Sequence, residues 1–114
     1  MLRFLLAATA VVAATVTLTQ TTLAAPSLSC DAPQGRVERK ICRHRDLVQM
    51  HSTMIRAYVN TERRIRPRSD VAGLVTDQAR WVSRRNSCWT KRCLVAAYAQ
   101  RTETLRSWAV IRDD

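Results

Sequence analysis

Cys88 and Cys93 sit between two helical stripes, and this arrangement constrains the chain more than any other feature of it. Gln78, Trp81, Val82 and Arg85 lie three and four residues apart, the spacing that puts side chains on one helical face. Leu94, Ala97, Tyr98, Arg101, Leu105 and Trp108 repeat that spacing after the break. Ser87 and Thr90, between the stripes, are breakers or caps. A cystine at this point would clip two antiparallel helices together at their shared end.

The rest of the chain reads the same way. Residues 26–35 carry two prolines and a glycine, a loop or helix entry in which Asp31 is placed to cap, with Gln34 as its reciprocal partner. The helix so started runs through Val37, Ile41 and Cys42. Asp46 to about Ile65 holds the longest helical pattern, with Leu47, Met50, Met54, Tyr58 and Ile65 as its stripe. A stripe containing methionines can serve as an adaptable groove, but core is the simpler reading here. Pro67 ends the helix, because the residue before a proline resists helical geometry. Ser69 or Asp70 then caps a third helix, with Val71, Leu74, Val75, Gln78 and Val82 as its inward positions, weakened by about 1 kcal/mol at Gly73. No strand-like alternation is sustained. The expected fold is all-α, a small disulfide-stapled antiparallel bundle of three to four helices.

The first residues read as an address rather than as structure. Arg3 gives a positive start, Phe4 to Leu18 is an apolar run, and Thr22-Leu23-Ala24 has the small residues of a signal-peptidase site. The run is about 15 residues, short of the roughly 20 a membrane-spanning helix needs. Residues 1–24 are therefore expected to be a cleavable signal peptide and 25–114 a single domain, exported to the periplasm or secreted. All four cysteines, Cys30, Cys42, Cys88 and Cys93, lie beyond the cut. In a short exported chain they imply two disulfides. Cys30–Cys42 with Cys88–Cys93 is the expected pairing among three connectivities, a choice the sequence alone does not settle. Of 19 lysines and arginines only Arg3 falls in the leader, so the remaining domain carries 18 basic against nine acidic side chains, a balance of +9.

Catalytic arrangements are not apparent, and the chain is not expected to be an enzyme. His44 and His51 are seven apart, without the i, i+4 spacing or a third ligand that a zinc site needs. Cys88 and Cys93 have four residues between them, unlike the two of a redox pair. Gly35 and Gly73 are the only glycines, which leaves no phosphate-cradling loop. Glu38 and Glu62 show no pairing suited to acid–base work. No cofactor and no metal is expected.

Taken together, Pro26-Ser27-Leu28-Ser29-Cys30, Glu38, Ile41-Cys42, Leu47, Met50, Met54 and Tyr58 form an ordered series. It continues through Leu74, Gln78, Trp81, Val82, Arg85, Cys88, Cys93-Leu94, Tyr98, Arg101 and Leu105. In order and spacing this series resembles the lysozyme-inhibitor LprI-like family of small exported helical domains with paired cysteines. Leu28 stands where that family usually has phenylalanine, and His51 where an aspartate is usual, which removes a negative charge. The resemblance implies inhibition of a lysozyme by stoichiometric protein–protein binding. A lysozyme cleft holds two catalytic carboxylates, and an arginine on a disulfide-held turn can pair with such a group bidentately. The candidate partner-binding residues are Arg84, Arg85, Lys91 and Arg92, with Trp89 as an apolar anchor. The competing reading gives Arg85 and Arg101 internal partners and leaves the others as solvated surface.

A second function class follows from charge alone. Arg63, Arg64, Arg66 and Arg68 crowd one turn, and Arg84, Arg85, Lys91 and Arg92 the other. Such clusters attract anionic cell-envelope polymers, lipids or nucleic acid, although no nucleic-acid-binding motif accompanies them.

Overall fold

The structure, a computed structural model, describes residues 11–16 and 28–111. Of the expected leader only 11–16 is described, as chain without regular secondary structure, and the Thr22-Leu23-Ala24 motif lies outside the described residues. Among the described residues no helix is long and apolar enough to cross a membrane. Four α-helices follow in order: α1 (Gly35–Cys42), α2 (Arg45–Arg64), α3 (Val71–Arg85) and α4 (Lys91–Arg106), with a short 3-10 turn, Arg68–Asp70, leading into α3. The bundle is stapled by Cys30–Cys42 and Cys88–Cys93. Disulfides of this kind persist in oxidising compartments.

The expected side-chain caps of α1 and α3 do not form. Gln34, not Asp31, occupies the N-cap position of α1, and it makes no side-chain cap bond. Its amide donates backwards to the Ala32 carbonyl at 3.2 Å. Gly35, at φ +81°, turns the chain abruptly into the helix, a backbone region glycine enters without steric cost. Asp31 is left three residues ahead of the cap position, too early to reach the first free amides.

The other helix ends obey the local chemistry. α2 stops at Arg64 and Ile65 is already extended (φ −66°, ψ 129°), one residue ahead of Arg66, the position Pro67 keeps out of helical geometry. Two arginines of this turn fold back onto the carbonyls that α2 leaves open: Arg66 Nη1 donates to Arg63 O and Ile65 O, and Arg68 Nη1 to Glu62 O at 2.7 Å. Cations there also complement the negative end of the helix dipole. Asp70 stands at the N-cap position of α3 without a side-chain cap bond, whereas at α4 the Thr90 hydroxyl accepts from Cys93 N at 3.1 Å. Such a cap contributes about 1 kcal/mol.

Packing is centred on α2 and α4. Leu47, Met54, Leu74, Leu94, Tyr98 and Leu105 are wholly buried between the helices, each aliphatic side chain contributing about 1.5–3 kcal/mol by leaving water. α4 lies chiefly against α2 and touches α3 much less. The Thr61 hydroxyl shares its proton between Ala57 O, one turn back, and Leu105 O across the interface at 2.9 Å. Tyr98 reaches both neighbours, edge-on to His51 of α2 with ring centroids 5.7 Å apart, and tilted against Trp81 of α3 at 5.4 Å. Beyond α4 the chain returns to the α2–α3 turn, where Arg66 N donates to Val110 O at 2.7 Å.

Both bridges close short loops, so each restrains the unfolded chain modestly. Replacing Cys88 and Cys93 together by alanine is expected to lower unfolding free energy by about 2 kcal/mol, and replacing Cys30 and Cys42 by about 3 kcal/mol. Urea titration measures both; an unfolding midpoint unmoved by either pair of substitutions would count against the clamps.

Candidate partner-binding face

The turn from α3 to α4 is the most tightly determined loop of the chain. Asn86 N and Ser87 N donate to Val82 O and Arg84 O, Cys88 N donates to Arg85 O, and the cystine then joins Cys88 to Cys93 inside α4. Cys88 is buried, and the chain turns Trp89 outward with 74% of its surface exposed. Arg36 of α1 completes the arrangement. Its guanidinium donates to Cys88 O at 3.0 Å and lies 3.9 Å from the centre of the Trp89 ring. A cation over an indole face is an electrostatically favourable stack, and it fixes the ring's orientation from beneath.

The five sequence candidates separate on this frame. Arg84 and Arg92 are exposed. Lys91 pairs with Asp46 at 2.8 Å, its ammonium holding that carboxyl below the usual carboxylate range. With both groups half-exposed the pair adds little stability. Arg85 is not on the surface at all. Only 5% of its side chain is exposed, and Nε and Nη2 donate to the Asn86 side-chain oxygen at 3.1 and 2.9 Å. Periodicity had already placed Arg85 on the inward stripe with Gln78 and Trp81, and that position outweighs its charge.

Arg36 was not singled out in the sequence. Its contact joins α1 to the far end of α3, and no local pattern relates the two. Arg101 was read as an inward position of α4 and, in the competing reading, as internally paired, which it is. Its Nε donates to Gln78 Oε1 at 2.8 Å and its Nη1 to Asp77, while Gln78 in turn donates to the Met54 sulfur at 3.5 Å. One polar chain thus ties α4, α3 and α2.

Behind the turn, α3 and α4 leave a groove of about 600 Å³. Asp77, Arg84, Arg85 and Arg101 line it with Trp81 and the Cys88–Cys93 bridge. A second, more polar groove of about 420 Å³ lies between α2 and α4, with Arg56, Asn60, Arg64 and Arg106 on its walls. Among the described residues no group of three or more His, Cys, Asp or Glu side chains is placed to hold a metal ion. No protein-family model, curated protein or solved structure matches the chain.

His51 occupies the buried junction of these helices. Its Nδ1 lies 2.9 Å from the Tyr98 hydroxyl, and its Nε2 is shielded from water with no partner. Protonating the ring would therefore place a charge in a desolvated site that already faces the Arg85 cation. Burial first, and Arg85 second, push the His51 pKa from 6.5 down to about 4. Burial also pushes the Tyr98 hydroxyl up. Between pH 6.5 and 4 the unfolded chain takes up a proton that the folded chain refuses, so stability falls as pH falls through this window. From pH 7.5 to 4.5 the loss due to this ring is expected to be about 2–3 kcal/mol. His51→Gln should remove that part of the slope in urea titrations at the two pH values. Identical slopes for the two proteins would show that the folded ring titrates normally.

Proposed function

We propose that this chain is an exported binding module that grips a protein partner stoichiometrically, in the manner of a lysozyme inhibitor, through the cystine-closed turn between α3 and α4. The observation that carries the reading is Trp89. A large apolar ring that is 74% exposed on a turn held by a disulfide, a threonine cap and a stacked arginine has no role in the fold that needs that exposure. Tryptophan and arginine are the side chains that most often anchor protein interfaces, and a pre-ordered turn loses little freedom on binding. The exposed Arg84 and Arg92, at the two ends of the same turn, supply donors for the carboxylates of an acidic cleft, such as the catalytic pair of a lysozyme. The exported domain, at +9 once Arg3 leaves with the leader, and a basic lysozyme repel each other at long range. That argues for slow association followed by short-range pairing.

The groove between α2 and α4 favours a second reading. Three arginines line it, with Asn60 and without a carboxylate, and such a wall suits anionic envelope polymers, lipids or nucleic acid.

Titration of the disulfide-intact protein into a lysozyme activity assay is expected to reach its end point at equimolar ratio. Trp89→Ala should weaken inhibition by roughly thirtyfold, the size expected of an interface anchor. Added salt should speed association with a basic lysozyme by screening the repulsion. Lack of inhibition at equimolar and tenfold excess, together with heparin binding that falls steeply with salt, would replace this reading by the second.

A further inference from the structure

Two arginines of the groove behind the turn are permanent charges in nearly dry positions. A guanidinium does not lose its proton in a protein, and a buried charge is tolerated only when paired and hydrogen-bonded. The side chains of Arg85 and Arg101 are 5% and 2% exposed. For Arg101 the internal partners fall short of the donors, and Arg85 is hydrogen-bonded but weakly paired in charge. Arg101 has Asp77 and Gln78, but its Nη2 has no hydrogen-bond partner. Arg85 rests on the neutral Asn86 amide oxygen, with the nearest carboxylate, Glu38, 4.0 Å away. His51 and Tyr98, which the Arg85 charge also reaches, contribute no negative charge at neutral pH. Arg84 adds a third guanidinium to the groove, and Asp77 is the one acid among its lining residues.

The floor of the groove is apolar, made by Trp81, Ala96, Ala97 and the cystine. At about 600 Å³ it lies within the roughly 300–1,000 Å³ of ligand sites. We propose that the groove between α3 and α4 receives a carboxylate carried on a short aliphatic stem, namely a glutamate or aspartate side chain of a partner protein. The carboxylate supplies negative charge opposite Arg84, Arg85 and Arg101, where the fold leaves one Arg101 donor unpartnered, and the stem lies on Trp81 and the alanines. A fork of guanidinium groups suits a planar carboxylate, which it can bind through two parallel bonds. This identifies the partner chemistry for the gripping face proposed above and rests on that reading. Trp89 would anchor the outside of the turn while an acidic side chain enters behind it.

The test uses disulfide-intact, nitrogen-15-labelled protein and follows the Nε–Hε resonances of Arg85 and Arg101 at constant ionic strength. Three probes are added separately: acetyl-Ala-Glu-Ala-amide, acetyl-Ala-Gln-Ala-amide and sodium acetate. The glutamate peptide is expected to shift both resonances saturably, and the glutamine peptide to bind about tenfold more weakly or worse. Arg84→Ala, an exposed position, should weaken the glutamate peptide severalfold while leaving the rest of the spectrum in place. Equal responses to the two peptides, or none from either at tens of millimolar, would overturn the proposal. Acetate saturating at the same concentration as the glutamate peptide would also overturn it, by assigning the groove to free anions. No lysozyme is present, so a failed titration leaves inhibition through Trp89 standing, and a lysozyme that escapes inhibition leaves the titration readable.

Discussion

The commitment of α4 to α2 is the constraint from which the other features follow. Leu94, Tyr98 and Leu105 are buried completely, and Tyr98 and the Leu105 carbonyl meet His51 and Thr61 of α2 directly. A helix has one apolar stripe, and this one is occupied by α2. α3 is therefore attached to α4 by other means: the Cys88–Cys93 clamp at one end, the Trp81–Tyr98 contact, and the Arg101 tie to Asp77 and Gln78. Neighbouring helices joined mainly at one end and along a polar line leave space between them. That space is the arginine-lined groove.

The same constraint explains why polar residues stand on the inward stripes. Gln78, Arg85 and Arg101 occupy positions where an aliphatic side chain would close the α3–α4 interface, and all three are buried. Gln78 is satisfied on both sides, by Arg101 and Met54. Arg101 keeps one donor without a partner, Arg85 has a carboxylate only at 4.0 Å, and both line the groove. Buried charge is weak evidence for stability, since burial costs about as much as pairing returns. Its persistence here fits a role in recognition better than one in holding the fold.

Much of this was readable from the chain itself. The stripe from Leu47 to Tyr58, the stop before Pro67 and the Thr90 cap depend on residues within a turn or two of one another, and local chemistry decided them; the cystine pairing was one expectation among three connectivities, and the structure has it. α2 runs from Arg45 to Arg64, within a residue of the span read from periodicity. The Asp31 cap failed because Gly35 resets the backbone just before the helix. Arg85 was read both as an inward position and, from crowding, as a candidate binding charge, and the stripe decided it; Lys91, a candidate from the same crowding, is engaged by the Asp46 carboxylate. The Arg36–Trp89 stack and the His51–Tyr98 junction join distant segments, and nothing local announces them.

If α4 belongs to α2, the helices should open in a definite order. Native-state hydrogen exchange reads that order, because protection tracks the free energy of the smallest unfolding event that frees each amide. Amides around Met54 and Tyr58 in α2 and around Tyr98 and Arg101 in α4 should be the last to exchange and should respond identically to low urea. Those of α3 should exchange earlier through a partial opening. Amides of α3 and α4 exchanging as one unit, with α2 opening first, would contradict the packing on which the groove and the exposed turn both depend.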